Sequence, residues 1–143
     1  MNESELRVFA EEYAAAWSGQ DPVAYSMFYA DEGTLRINDG EPSVGRAAVE
    51  ATARSFMTDF PDMLVELVDL RLDGDKVQFH WHWTGTNTGP GGTGAAVDLT
   101  GYEEWTLNED GLILFSQGHM DDEEYQRQLS AGPNQPEDAT EVP

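Results

Sequence analysis

Hydrophobic residues recur at helical spacing in the N-terminal part of the chain. Apolar residues three or four positions apart predict a first helix over residues 3–19. Its buried face carries Leu6, Phe9, Ala10, Tyr13, Ala14 and Trp17. Asp21 as an N-cap and Pro22 in the first helical turn predict a second, short helix that ends near Tyr29.

A short strand over residues 34–37 and a third helix from Ser43 to Phe60 follow in the predicted order. Pro61 stops this helix, because the residue before a proline avoids the helical conformation. From Met63 onward the apolar residues recur at every second position. That period predicts strands rather than helices.

The C-terminal half reads as a meander of strands with turn residues between them. Strands are predicted over residues 64–72, 77–84, 95–107 and 112–121, with a loop at 89–94 and a helical turn at 123–129. Helices come first and strands follow, without strand–helix–strand alternation. The sequence therefore predicts an α+β fold in which three N-terminal helices cover one face of an antiparallel sheet.

The length of 143 residues predicts one domain, which we place at residues 1–130. Residues 131–143 carry few apolar side chains and predict a disordered acidic tail. The chain has no cysteine, which excludes disulfides and thiolate sites. It shows no signal peptide and no apolar run long enough to span a membrane, so we expect a cytoplasmic protein.

The formal net charge is −21, from 28 acidic and seven basic side chains. Such a charge excludes a nucleic-acid binder, which needs a basic face, and disfavours anionic membranes. The acids can form one patch for a basic partner, or they can reflect adaptation to high salt. We favour the second interpretation, because the acids are dispersed along the chain and only one lysine is present.

All three histidines and three of the four tryptophans lie between Val77 and Asp122. His80 and His82 are two positions apart and share a strand face, so with His119 they can form a three-histidine metal site. No carboxylate follows them in the pattern of such sites. We therefore predict no metal and expect both histidines on the dimer-facing or solvated face. The opposite face carries Val77, Phe79, Trp81 and Trp83.

Five segments together resemble the SnoaL-like polyketide cyclase family of the NTF2-like superfamily. They are G45-R-A-A-V leading into F60-P-D, D75-K-V leading into T84-G-T-N-T-G, E109-D-G-L-I, H119-M-D and Q128-L. The resemblance covers roughly residues 4–130. It departs at Asn87, where many members have histidine, and at Met120, where many have tryptophan.

The resemblance implies a cone made of a curved sheet wrapped on helices, with an apolar cavity and a homodimer packed through the sheet. It implies that Asp121 is a catalytic base that removes a proton next to a carbonyl, without a cofactor. Burial in an apolar cone raises the pKa of a carboxyl towards the working pH. His119 lies two residues away and is expected to donate a hydrogen bond to the developing oxyanion. The competing interpretation is that Asp121 caps a terminal helix.

The remaining candidates are residues expected to bind a small hydrophobic molecule. They are Tyr13, Trp17, Phe28, Phe60, His82, Trp83, Asn87, Tyr102 and Gln117. His82 is included because a bulge that shifts the strand register would turn it towards the cavity. The leading hypothesis is an acid–base cyclase or isomerase acting on a hydrophobic carbonyl compound. The alternatives are a non-catalytic binding or assembly module and an epoxide hydrolase or steroid-isomerase-like activity, because fold resemblance alone does not assign a reaction.

Overall fold

A computed structural model describes residues 2–132 of the chain. Its helices are α1 (Glu3–Ser18), α2 (Pro22–Ser26), α3 (Arg46–Asp59) and α4 (Asp122–Ala131). Its strands are β1 (Tyr29–Ile37), β2 (Ser43–Val44), β3 (Leu64–Asp73), β4 (Lys76–Thr86), β5 (Ala96–Leu107) and β6 (Ile113–His119). Helices packed on one curved, open sheet confirm the predicted α+β class.

The described strands form one six-stranded sheet in the order β2-β1-β6-β5-β4-β3. Strands β3 to β6 form the predicted antiparallel meander. The pair β1–β6 is parallel, which differs from the purely antiparallel sheet that was predicted. A parallel pair needs a long crossover connection, and here α3 and the meander supply it.

The second helix ends earlier than predicted, at Ser26, and β1 begins at Tyr29. The cause is pairing with the last strand, since the Ile113 N–H donates to the Phe28 carbonyl at 2.9 Å. Aromatic residues suit a helix face and a strand equally well, so the local pattern does not separate these two outcomes.

The third helix begins at Arg46, three residues later than predicted. Ser43 and Val44 instead form β2 against β1. Gly45 separates the two elements with φ of 91°, a conformation that disfavours other residues.

The core lies between the helices and the inner face of the sheet. Alternate residues of β4 and β5 face inward, as the period of two predicts. The fully or nearly buried ones are Val77, Phe79, Trp83, Val97, Leu99, Glu103 and Trp105. The residues between them, including His80, His82 and Tyr102, lie on the outer face and are half-buried. This is the face on which we expected both histidines.

Helix α4 covers the part of β5 that extends beyond β6. Pairing between β5 and β6 begins at Tyr102, so residues 96–101 of β5 have a neighbour on one side only. The buried Gln128 side chain lies along that open edge. It accepts from the Asp98 N–H at 2.6 Å and donates to the Asp98 carbonyl at 3.0 Å.

Within residues 2–132, no helix is both long and apolar enough to cross a membrane. The predicted acidic tail lies outside the described residues, apart from Ala131, which ends α4, and Gly132.

Candidate functional site

An apolar cavity of ≈ 70 Å³ lies between the helices and the inner face of the sheet. Aromatic side chains from α1, α3 and β4 form much of its wall. They are Trp17, Phe56, Trp81 and Trp83. Leu35, Ile37, Met63 and Val65 add aliphatic surface, and Gly118, His119 and Met120 lie at the end of β6. The space is below the about 300 Å³ typical of drug-sized ligands, so it suits a compact molecule.

One acidic side chain, Glu103 on β5, lines this apolar cavity. It is 7% exposed. Its Oε1 atom accepts three hydrogen bonds: from Tyr13 Oη at 2.6 Å, Ser116 Oγ at 2.8 Å and Trp105 Nε1 at 2.9 Å. Three elements thereby fix the carboxyl group in one orientation.

The second oxygen of Glu103, Oε2, receives no hydrogen bond from the described residues. In that part of the chain the only fully buried side-chain nitrogen or oxygen without a partner is Trp83 Nε1. Oε2 therefore keeps some accessible surface, and Glu103 is one of the residues that line the cavity. The carboxyl group is anchored through one oxygen and free to react through the other.

A cluster of three buried tyrosines lies behind the carboxyl group. The hydroxyl of Tyr13 is 2.6 Å from that of Tyr25 and 2.8 Å from that of Tyr29, and the last two are 2.9 Å apart. All three side chains are fully buried. Buried tyrosine hydroxyls need partners, and here they supply them to one another and to Glu103.

Burial raises the pKa of Glu103 above 4.5, because the ionised form loses its hydration. The donors Tyr13, Trp105 and Ser116 act in the opposite direction and lower the pKa, since they stabilise the carboxylate. Burial also raises the pKa of Tyr13 and Tyr25, and the nearby Glu103 charge adds to both shifts. Burial first and the Glu103 charge second raise the pKa of Tyr29 as well. The tyrosines are therefore neutral donors.

Gly101 leaves room for the Trp81 ring, which lines the cavity. It faces Trp81 across the β4–β5 pair and lies two residues before Glu103 on the same inner face. A Cβ atom on Gly101 would lie 2.5 Å from Trp81 Cζ2 and 2.5 Å from the His119 carbonyl oxygen. The Trp81 ring therefore occupies the space that a side chain at position 101 would fill.

Asp121, the predicted base, lies at the surface rather than in the cavity. It is the N-cap of α4, and its Oδ1 accepts from the Glu124 N–H at 3.1 Å. The strand ends at His119, so the chain leaves the sheet before it reaches Asp121. Asp121 is therefore outside the apolar cavity, and the helix-capping interpretation describes its geometry.

His119 borders the cavity but its side chain is exposed and lies on the outer face. Its ring stacks on Tyr102 with centroids 4.5 Å apart, and Tyr102 stacks on His80 at 4.9 Å. Gln117 is on the same face and donates to the Asn38 carbonyl at 2.8 Å. Tyr102, Gln117 and His119 thus come together, but on the outer face of the sheet.

His82 also lies on the outer face, where its Nε2 is 2.7 Å from Asp98 and its Nδ1 is 3.5 Å from Glu66. The Asp98 hydrogen bond raises its pKa above 6.5. The described residues contain no group of three metal-ligating side chains.

The other predicted binding residues divide between the cavity wall and the surrounding core. Trp17 and Trp83 line the cavity, and Phe60 packs against Trp83 with centroids 5.0 Å apart. Phe28 packs in the core 5.6 Å from Tyr13. The Asn87 amide accepts from the Thr93 N–H at 2.8 Å and donates to the Asp59 carbonyl at 3.1 Å, so it holds the glycine-rich loop.

Sequence reasoning did not find Glu103, although a signal for it exists. Val97, Leu99 and Trp105 are apolar and lie an even number of positions from Glu103, so they share its face of β5. A carboxylate that shares a strand face with several buried apolar residues points into the core. A charged group in that position is a candidate functional residue.

The sequence profile of the SnoaL-like domain matches residues 10–115, which is most of the chain. The protein belongs to the SnoaL-like domain family. A comparison with curated protein sequences finds no match.

Solved structures with the same fold have low sequence identity to the chain. A protein described as a SnoaL-like polyketide cyclase from Jannaschia sp. CCS1 is 16% identical, with TM-score 0.70 over 87% of this chain and 93% of that one. The epoxide hydrolase/cyclase-like enzyme SalBIII of salinomycin pyran-ring formation is 20% identical, with TM-score 0.72 over 84% and 93%. A hypothetical protein with a ketosteroid isomerase-like fold from Catenulispora acidiphila, in complex with trimethylamine, is 20% identical, with TM-score 0.65 over 74% and 79%.

Proposed function

We propose that this SnoaL-like protein is an acid–base enzyme that acts on a compact, mostly apolar carbonyl compound, with Glu103 as the group that exchanges a proton with it. The observation that carries the proposal is the buried Glu103 carboxyl group, which lines an apolar cavity with one oxygen free. A buried carboxyl group with a raised pKa is suited to proton transfer near neutral pH.

The three donors on Oε1 give the carboxyl group a defined role in such a transfer. When Oε2 gives or takes a proton, the charge on the carboxyl group changes, and the fixed Tyr13, Trp105 and Ser116 donors stabilise the ionised state without rearranging. The apolar walls lower the local dielectric constant, which strengthens these interactions. Trp17 and Trp81 hold the apolar part of the ligand beside Oε2.

The comparisons support a small-molecule reaction of this class without specifying it. Proteins of this fold include ones described as a polyketide cyclase and an epoxide hydrolase/cyclase-like enzyme. Another was solved with trimethylamine, a ligand of the size that the cavity suits.

Deuterium exchange in D₂O tests the proposal without knowledge of the natural substrate. Small ketones and aldehydes would be incubated with the protein, and loss of their α-hydrogen signals followed by NMR. We expect the wild type to accelerate exchange of at least one compound and Glu103→Gln to abolish the acceleration. Glu104→Gln, a matched change on the other face of β5, is the control. Equal exchange by wild type and Glu103→Gln would refute the proposal.

The non-catalytic binding module remains the second candidate, because the same cavity serves binding alone. It predicts saturable binding of compact apolar compounds with no exchange in any of them. The homodimer implied by the family resemblance also remains a prediction, and sedimentation velocity measures it.

A further inference from the structure

The two oxygens of Glu103 have unlike surroundings. Oε1 accepts three hydrogen bonds, whereas Oε2 accepts none from the described residues, and Glu103 lines the cavity. An ionised carboxylate carries equal charge on both oxygens, and both then need donors. A neutral carboxyl group is asymmetric: its carbonyl oxygen accepts and its hydroxyl donates. The observed arrangement matches a neutral group with the carbonyl at Oε1 and the hydroxyl at Oε2.

The elements packed around Glu103 supply neutral groups. Tyr13 comes from α1, Tyr25 from α2, Tyr29 from β1 and Ser116 from β6, and Trp105 is on the same strand. Within residues 2–132, no lysine, arginine or histidine forms a hydrogen bond or an ion pair with Glu103. A buried charge without a counter-charge is strongly disfavoured, and such groups take up a proton instead.

We propose that Glu103 rests in its protonated form and acts as a proton donor, so that the cavity selects compact apolar compounds with a hydrogen-bond-accepting oxygen. A carbonyl, ether or epoxide oxygen has this chemistry. This inference rests on the proposed function, because it requires that the cavity is a small-molecule site. It adds that the first transfer goes from the protein to the ligand.

The proton transfer balances within the complex. The O–H bond of Oε2 breaks, its electron pair remains on the carboxyl group, and a new O–H bond forms on the ligand oxygen. The resulting carboxylate is held by the donors on Oε1 and then takes a proton released from a carbon or hydroxyl of the same ligand. Glu103 is restored without any co-reactant.

Infrared spectroscopy reads the resting protonation state directly. We expect the wild type at neutral pH to show the carbonyl stretch of a protonated carboxyl group. This band should be lost in Glu103→Gln and retained in Glu104→Gln. The inference is overturned if the wild type shows no carbonyl stretch of a protonated carboxyl group that disappears in Glu103→Gln.

Thermal unfolding gives a second readout that does not depend on a ligand. A carboxyl group whose pKa is higher in the folded state contributes stability below its unfolded pKa and loses it as pH rises through the folded pKa. Glutamine has the shape of the neutral carboxyl group and does not ionise. We expect the melting temperature of Glu103→Gln to rise relative to that of the wild type as the pH increases from mildly acidic to mildly alkaline. A constant difference would contradict the inference.

Ligand selectivity tests the chemical class. Cyclopentanone and cyclopentene oxide are compared with cyclopentane and with cyclopentylammonium by NMR titration. We expect the two oxygen-bearing probes to bind about tenfold more tightly than cyclopentane, as one additional hydrogen bond provides. Glu103→Gln retains this preference through its amide N–H, whereas Glu103→Leu loses it.

The outcomes separate the two proposals. Preference for cyclopentylammonium would show an ionised Glu103 and overturn the inference, while the cavity would remain a binding site. If no probe binds and no carbon acid exchanges, the proposed function fails, and the infrared band still decides the protonation state. Exchange by a wild type whose resting Glu103 is ionised would support the enzyme and refute the resting proton donor.

Discussion

The two faces of β5 place neighbouring residues in opposite environments. Glu103 points inward and is 7% exposed, with three neutral donors on one oxygen. Glu104 points outward and is half-buried, across from Gln78 and Gln117 in the sheet. The same side chain is thus a candidate catalytic group on one face and an ordinary surface acid on the other. The face of the strand on which a carboxyl group lies, and not the residue type, decides which role it can take.

The outer face also carries ionisable groups, and they lie nearer to water. His82 lies between Asp98 and Glu66, and the hydrogen bond that its ring donates to Asp98 raises its pKa. Burial lowers the pKa of His80, and the positive charge of Arg71 adds to that shift. Solvent screens such pairs, so their contributions to stability are small.

The largest effect is expected from removing the inner carboxyl group. Glu103→Ala leaves the Tyr13, Trp105 and Ser116 donors without their shared acceptor, and unsatisfied buried donors cost about 3–5 kcal/mol together. Glu104→Ala should change the free energy of unfolding by about 0.5 kcal/mol or less. Chemical denaturation of both variants measures the contrast. Similar losses of unfolding free energy in the two variants would show that the two faces of β5 do not place these carboxyl groups in different environments.

A middle-sized effect is expected at Asp121, the residue that family resemblance places in the catalytic role. Asp121→Ala removes the N-cap of α4 and should cost about 1 kcal/mol, whereas Asp121→Asn preserves the cap. Deuterium exchange on carbon acids should be unchanged in Asp121→Asn. Loss of exchange there, with exchange intact in Glu103→Gln, would return the catalytic role to Asp121.

The smallest effect is expected on the outer face and depends on pH. The raised pKa of His82 means that its ion pair stabilises the fold at pH below the unfolded value of 6.5 and that this stability is lost as pH rises through the folded pKa. His82→Gln should therefore cost less than about 1 kcal/mol at acidic pH and nothing at alkaline pH.

His80→Gln is the matched control for this pH dependence, because the pKa of His80 is lowered. A lowered histidine pKa contributes stability above the unfolded value, which is lost as pH falls. As the pH rises through the histidine pKa values, the difference in unfolding free energy between variant and wild type should therefore change in opposite directions for His82→Gln and His80→Gln. Parallel pH profiles of unfolding would contradict the assignment.

Much of the fold follows from periodicity. The stripe from Leu6 to Trp17 predicts α1, and alternation on β4 places Val77, Phe79 and Trp83 inward, as observed. The boundary near Tyr29 was wrong, because pairing with the distant Ile113 ends the helix there. A contact between residues so far apart in the chain leaves no local signal.

The candidate site was harder to predict than the fold. Glu103 is one of 28 acidic residues, and dispersed surface acid hides a single inward one. Tyr13 was predicted on the buried face of the first helix, but its hydrogen bonds with Tyr25, Tyr29 and Glu103 depend on how α1, α2 and β1 pack on β5. Sequence patterns give the face of a residue, and only the packing gives its partners.

Gln128 has a consequence for the behaviour of the protein in concentrated solution. Its amide occupies the N–H and C=O of Asp98 in the way that an added strand would. The segment of β5 that extends beyond β6 is consequently closed to a strand from another molecule, and one route to intermolecular sheet growth is blocked.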